Sequence, residues 1–295
     1  MMAPADAARR GQLLVAAAAV VWSSAGPVQR AVHATAPTQV AVRAGVAMFA
    51  LTIYLLARRR GGIFAAFRSV GRDGVLVAAL LAITSCCFLL ALDHTSVARV
   101  LLWQAVSPFL AALLAWAVMR EPIPPRTWIA MSAALAGVAI MVGGSLGAAS
   151  LRGDLLCLVM SSAWAVVIVI TRSRRDISMT PATALGMLIA FCAMAPFAEP
   201  GGLSGRDVLL LAALGAGQIA LGLILFTAGA RLIPAAQAGL ISLLEVVLGP
   251  LWVWLIYSEK PDAVTLIGGS IIIAAVLLHA LLELRPGGPR VTATL

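Results

Sequence analysis

The sequence predicts an all-α integral membrane protein of ten transmembrane helices, built as two inverted five-helix repeats. Three observations carry this reading. Mean hydropathy is +1.02, 62% of residues are hydrophobic and only 11% are charged, against about 25% charged in soluble domains. The stretch from His94 to Ile140 recurs 138 positions later as Leu232 to Leu278, and rare residues coincide: Trp116 with Trp254, Glu121 with Glu259, Thr127 with Thr265, Ser132 with Ser270. Basic residues also gather in alternate connections between apolar runs.

The runs place spans near 12–32, 38–57, 74–93, 96–119 and 127–146 in a first repeat (1–147), and near 152–171, 180–198, 207–230, 234–257 and 263–283 in a second (148–295). Each approaches or exceeds the roughly 18 residues that cross a bilayer. The first follows Arg9 and Arg10 and is uncharged from Gly11 to Gln29. The arginine pair superficially resembles a secretory or twin-arginine signal, but many similar runs follow. The second begins after Pro37 and contains Arg43. Between Arg58 and Asp73, Ile63, Phe64, Phe67 and Val70 stand among basic residues. That spacing suits either a short interfacial helix on an anionic leaflet or a solvated loop. The fourth and fifth spans are the first copy of the recurring stretch, divided by Pro122, Pro124 and Pro125.

In the sixth span Trp164 and Arg172 match Trp22 and Arg30 at an offset of 142. Pro181 opens the seventh span, and Pro200-Gly201-Gly202 closes it. Gly215, Gly217, Gly222 and Gly229 in the eighth, with Gly268 and Gly269 in the tenth, mark close backbone packing. The ninth and tenth spans are the second copy, divided at Pro261. Cys86, Cys87, Cys157 and Cys192 all fall inside apolar runs without metal-site or disulfide spacing, and read as small buried core residues.

With the N-terminus inside, fifteen basic residues lie in inner connections and five in outer ones, so both termini are expected in the cytoplasm of a bacterial-type inner membrane. A net charge of +9 would suggest nucleic acid in a soluble chain; here it retains orientation, and no nucleic-acid partner is expected. Because five is odd, the repeats insert with opposite orientation, with Arg30 outside and Arg172 inside. Inverted repeats of this kind build secondary transporters whose sites lie near the midplane.

Polar groups inside a span are the candidates for function, because lipid cannot pair with them. Glu245 is the acid nearest the middle of a span, and the 138-residue shift sets it opposite Ser107 and sets Gln104 opposite Ser242. These four predict a polar belt contributed by the fourth and ninth spans. Pro108 and Pro250 each remove a backbone hydrogen bond and would loosen those helices. Trp22, Trp103 and Trp164 offer an aromatic wall for an amphipathic or cationic solute. Toward the outer side, Arg43, His94 and Arg99 form a candidate charged vestibule; Arg43 would either snorkel to headgroups or draw anionic groups. No metal or organic cofactor is expected, and Glu245 offers proton coupling as an alternative to a fixed countercharge for an ammonium group.

On these residues the chain resembles the drug/metabolite transporter superfamily in its ten-helix EamA-type branch. They are Trp22, Arg43, and the two Ala- and Leu-rich stretches that close at Glu121 and Glu259. The resemblance implies an exporter of small metabolites, amino acids above all and cationic drugs second. It further implies a cavity ringed by spans 1–4 and 6–9, with spans 5 and 10 peripheral, and alternating access by rocking of the halves. Two positions depart from the pattern: Val246 follows Glu245 where proline is usual, and Ser23 replaces a glycine.

Two other classes compete. A membrane enzyme acting on lipid would need clustered acids, histidines or metal ligands, and the inner face offers only Asp73, Glu121 and Asp176 among arginines. A non-saturable channel or assembly partner would need a ring of like charges, which only oligomerisation could supply. The expected partners are a small-molecule solute and the bilayer, with monomer and homodimer both open.

Overall fold

The computed structural model describes residues 4–25, 28, 31–58, 63–143, 150–258 and 260–284. No strand occurs among them, as expected of a chain whose backbone must satisfy itself within each segment away from water. The helices are α1 (Pro4–Ser23), α2 (Ala36–Arg58), the short α3 (Ile63–Ser69), α4 (Gly71–Leu92), α5 (Val97–Met119), α6 (Pro125–Val142), α7 (Leu151–Ser173) and α8 (Thr180–Met194). They continue with α9 (Gly205–Ala213), a π-helical stretch (Leu214–Leu221), α10 (Gly222–Ala230), α11 (Ala235–Ser242), α12 (Leu244–Tyr257) and α13 (Ala263–Leu284).

Local chemistry sets the ends. Ser96 Oγ accepts from Arg99 N at 3.3 Å and Ser150 Oγ from Gly153 N at 3.2 Å, capping α5 and α7. Ser204 and Asp207 cap each other's backbone N–H at the start of α9. Pro125 and Pro181 stand in first turns, where no intrahelical N–H bond is lost. Among the described residues, the non-glycine positions with positive φ are Arg120 (54°) and Ser258 (58°). They lie 138 apart, so the recurring sequence also repeats a left-handed turn that costs about 1–2 kcal/mol.

Nine helical segments among the described residues are long and apolar enough to cross a membrane. Large apolar residues such as Phe49, Leu113, Val118, Leu209 and Leu281 face outward all round the bundle, and Trp116 and Trp254 are exposed with them. That surface fits lipid rather than water: this is a multi-pass membrane protein. The first expected span is corrected. Helix α1 begins at Pro4 and carries Asp6, Arg9 and Arg10 within it, eight residues before the expected start. The Ala-rich segment around these charges is a strong helix former, so helix and apolar run do not share a boundary. Arg30 and Glu259, used in matching the repeats, lie outside the described residues.

Three further expectations are adjusted. The Arg58–Asp73 connection does contain a short helix, α3, but Ala66 and Val70 are buried and Phe67 packs on the protein core. Cys157 is buried, whereas Cys192 is exposed on the apolar exterior. Pro108 leaves α5 unbroken; the irregular helices are the π-helical stretch and the division of α11 from α12 at Leu243.

Packing follows small residues. Helices α6 and α13 cross so closely that a Cβ on Gly137 would lie 2.7 Å from the Gly268 carbonyl oxygen. Elsewhere in this pair, Thr127 Oγ1 and His279 Nε2 share a buried 2.9 Å hydrogen bond. The other contacts pair α2 with α8, α4 with α7, and α1 with α10. In addition α4 packs on α8 and α2 on the π-helical stretch, while α5 packs on α7 and α1 on α11 and α12.

Candidate functional site

A cavity of about 180 Å³ lies among these helices, room for roughly six waters at about 30 Å³ each. Its lining comes from α1, α2, α4, α5, α7, α8, the π-helical stretch, α10, α11 and α12. Most of it is apolar, with a small set of polar groups, as small-molecule sites usually are.

One polar group is Arg43 of α2, which is buried and donates from Nη2 to Gln218 Oε1 at 2.8 Å. Close approach of the two backbones makes this reach available. A Cβ on Gly215 would lie 2.6 Å from the Arg43 carbonyl oxygen and 2.9 Å from Val46 Cβ. The residue therefore neither snorkels to headgroups nor stands in an outer vestibule. Gln218, a partner from another helix, holds its Nη2 where the sequence alone suggested headgroups or a vestibule.

The other ionisable group is Glu245. Its carboxylate accepts a hydrogen bond from Gln104 Nε2, joining α12 to α5. Gly239 makes the join possible, since a Cβ there would lie 3.0 Å from Pro108 Cα. The break at Leu243 sets Glu245 in the first turn of α12, where the helix dipole favours an anion. Ser107 and Ser242 line the same cavity. Ser242 Oγ donates to Gly239 O at 2.7 Å. The buried Ser107 hydroxyl has no hydrogen-bond partner among the described residues, which leaves it available to a ligand.

Trp22 and Trp164 form the aromatic wall. Their rings meet edge to face at 5.5 Å, and both lean on the fully buried Phe226, at 5.2 and 4.8 Å. A side chain on Gly222 would collide with the Trp22 indole. Ser23, the departure from the family pattern, accepts from Trp252 Nε1 at 2.9 Å and so ties α1 to α12.

Three sequence candidates stand elsewhere. Trp103 shares a helix face with Ser107, but its indole nitrogen donates to Asp154 Oδ1 at 3.3 Å and its ring packs by Ala91, Val100, Cys157 and Met160. Arg99 pairs with the same Asp154 at 3.1 Å. His94 is exposed in the turn between α4 and α5. The aromatic wall is thus smaller than expected, and the vestibule is three separate environments. The indole and guanidinium were drawn to a carboxylate on α7 that no helical spacing reveals.

Sequence reasoning passed over Gln218, Thr84, Ser85 and Ser161, all in the lining. Each is polar within an apolar run, so the criterion that selected Gln104 would have selected them. Beyond the cavity, Glu121 pairs with Arg172 at 3.1 Å, and Arg172 Nη1 also donates to the Arg231 carbonyl at 3.2 Å. This clamp joins the segments that follow α5 and α10 to the last turn of α7.

Comparison with known proteins finds the profile of the EamA-like transporter family over residues 9–143 and again over 151–281. The pseudopaline exporter CntI of Pseudomonas aeruginosa strain UCBPP-PA14 is 27% identical over 285 residues, covering 92% of this chain and 96% of the relative. Its counterpart from strain PAO1 matches at the same identity and coverage. A solved crystal structure shares the fold, with a TM-score of 0.81 at 20% identity over 94% of this chain and 99% of that one.

Proposed function

The chain belongs to the EamA-like transporter family, and from that premise we propose that it is a secondary transporter exporting small metabolites, amino acids or related amphipathic and cationic solutes. The observation that carries the solute class is a single cavity holding both a carboxylate, Glu245, and a guanidinium, Arg43, each hydrogen-bonded to a neutral glutamine. An ammonium group would bind at Glu245, with Gln104, Ser107 and Ser242 as hydrogen-bond partners around it. A solute carboxylate would bind at Arg43, and an apolar or aromatic side chain would lie on Trp22 and Trp164. The curated relatives are exporters by name, which supports outward movement.

The architecture we propose for this transport is ten spans in two inverted repeats, with α1 as the first. The packing supports it: exchanging the halves turns α4 on α7 into α10 on α1, and α5 on α7 into α11 and α12 on α1, while α2 on α8 and α6 on α13 map onto themselves. We propose that both termini lie in the cytoplasm, a reading supported by the fifteen-to-five distribution of basic residues. Rocking of one half on the other would expose the cavity to each side in turn, with Glu245 carrying a proton in exchange for solute.

The test is counterflow in proteoliposomes with labelled phenylalanine and a labelled organic cation. Saturable uptake is expected, and Glu245→Gln is expected to reduce it by at least about tenfold, the loss of one charge-assisted contact. Unimpaired counterflow in Glu245→Gln would remove that residue from the mechanism, and flux that fails to saturate would mark a channel. Rates that ignore an imposed pH gradient would dismiss proton exchange.

A further inference from the structure

The π-helical stretch and the glycine that follows it touch both kinds of contact the cavity offers. Gly215 admits the backbone of α2 at Arg43, Gly222 admits the Trp22 ring, and Gln218 between them holds the Arg43 side chain. A π turn inserts an extra residue and re-aims the side chains after it, and such turns concentrate at functional sites.

We propose that Gln218 is a specificity-determining residue, a neutral stand-in that occupies Arg43 until a solute carboxylate takes its place. The proposal rests on the solute class argued above. An amide oxygen satisfies a guanidinium N–H without cancelling its charge. A carboxylate makes the same bond roughly twice as strong, so a solute carrying one displaces the amide. Gln104 is the same device with its polarity reversed, since its Nε2 end faces the Glu245 carboxylate. Each ionisable group lining the cavity is thereby held by an uncharged group that a charged solute outcompetes. A solute lacking the carboxylate leaves Arg43 with Gln218 and gains nothing there.

The experiment measures binding to the purified full-length protein with two ligands that differ only in the carboxylate, L-phenylalanine and 2-phenylethylamine. Gln218→Glu supplies an internal carboxylate to Arg43. It is expected to weaken phenylalanine at least about tenfold while phenylethylamine stays within about twofold. Gln218→Ala removes the competitor and is expected to raise the preference for phenylalanine over phenylethylamine by about threefold or more. Equal changes for the two ligands, an unchanged phenylalanine affinity in Gln218→Glu, or a reduced preference in Gln218→Ala would overturn the proposal while leaving the transporter reading intact. Should Gln218→Glu not elute as a monodisperse protein, the Gln218→Ala preference decides alone. Saturable binding of neither ligand by the wild type would overturn the solute class, and this proposal with it.

Discussion

Two copies of one stretch of sequence meet at the cavity and fold differently there. Helix α5 runs unbroken through Pro108, whereas its counterpart divides at Leu243 into α11 and α12. The division is made by short-range bonds, Leu243 N to Leu240 O at 3.2 Å and Val246 N to Leu243 O at 3.1 Å, and not by Pro250, which lies inside α12. Its effect is to give the second copy a helix N-terminus in mid-run. The carboxylate of the pair stands in the copy with that terminus, and the hydroxyl of Ser107 stands in the copy without it. The copies also touch, because Gly239 lets α11 close on Pro108. The shared frame, seen in the matching turns at Arg120 and Ser258, builds two similar helices. The unshared centres then divide the labour between an amide and an acid.

That contrast can be broken most sharply at the contact. Gly239→Val forces α11 away from the Pro108 backbone and parts Gln104 from Glu245. Overpacking of this kind costs about 1–3 kcal/mol, and solute counterflow is expected to fall by more than about tenfold, with a lower melting temperature. Counterflow within twofold of wild type would show that the copies need not touch. A smaller effect is expected from Pro108→Ala. With α5 already continuous, the substitution restores a bond to the Gln104 carbonyl and should stabilise the fold by about 1 kcal/mol. Transport is expected to stay within about twofold, and a large loss would mean that proline irregularity in the first copy matters after all. The smallest effects test the frame itself. Arg120→Gly and Ser258→Gly each relieve a left-handed residue and should change stability by less than about 1 kcal/mol, in the same direction. Opposite signs in thermal melts would show that the two turns are not equivalent.

Much of this was legible in the sequence because apolar length and rare repeated residues are strong signals. The cavity lining includes Glu245, Gln104, Ser107, Ser242, Trp22, Trp164 and Arg43, all selectable as polar or aromatic residues inside apolar runs. The misses share a cause, which is that spacing gives a face but not a partner. Trp103 lies one turn from Ser107, yet its indole bonds Asp154, 51 residues on. Arg43 stands near enough to a helix end to suggest snorkelling, until Gln218 is seen beside it. The break at Leu243 has no proline or glycine at the position itself, so no local residue announces it. The true start of α1 was hidden because apolarity marks a bilayer's edge, not a helix's.

The Arg43–Gln218 contact joins residues 175 positions apart in the chain, and that separation has a price in time. At about 5–20 residues per second, the ribosome would deliver Gln218 roughly 10–35 seconds after Arg43. Throughout that interval α2 holds an arginine that opposes insertion by less than the roughly 2.5–3.5 kcal/mol of a helix-centre position, with Gln218 not yet made. The packing around Arg43 is therefore completed only when the second half of the chain arrives.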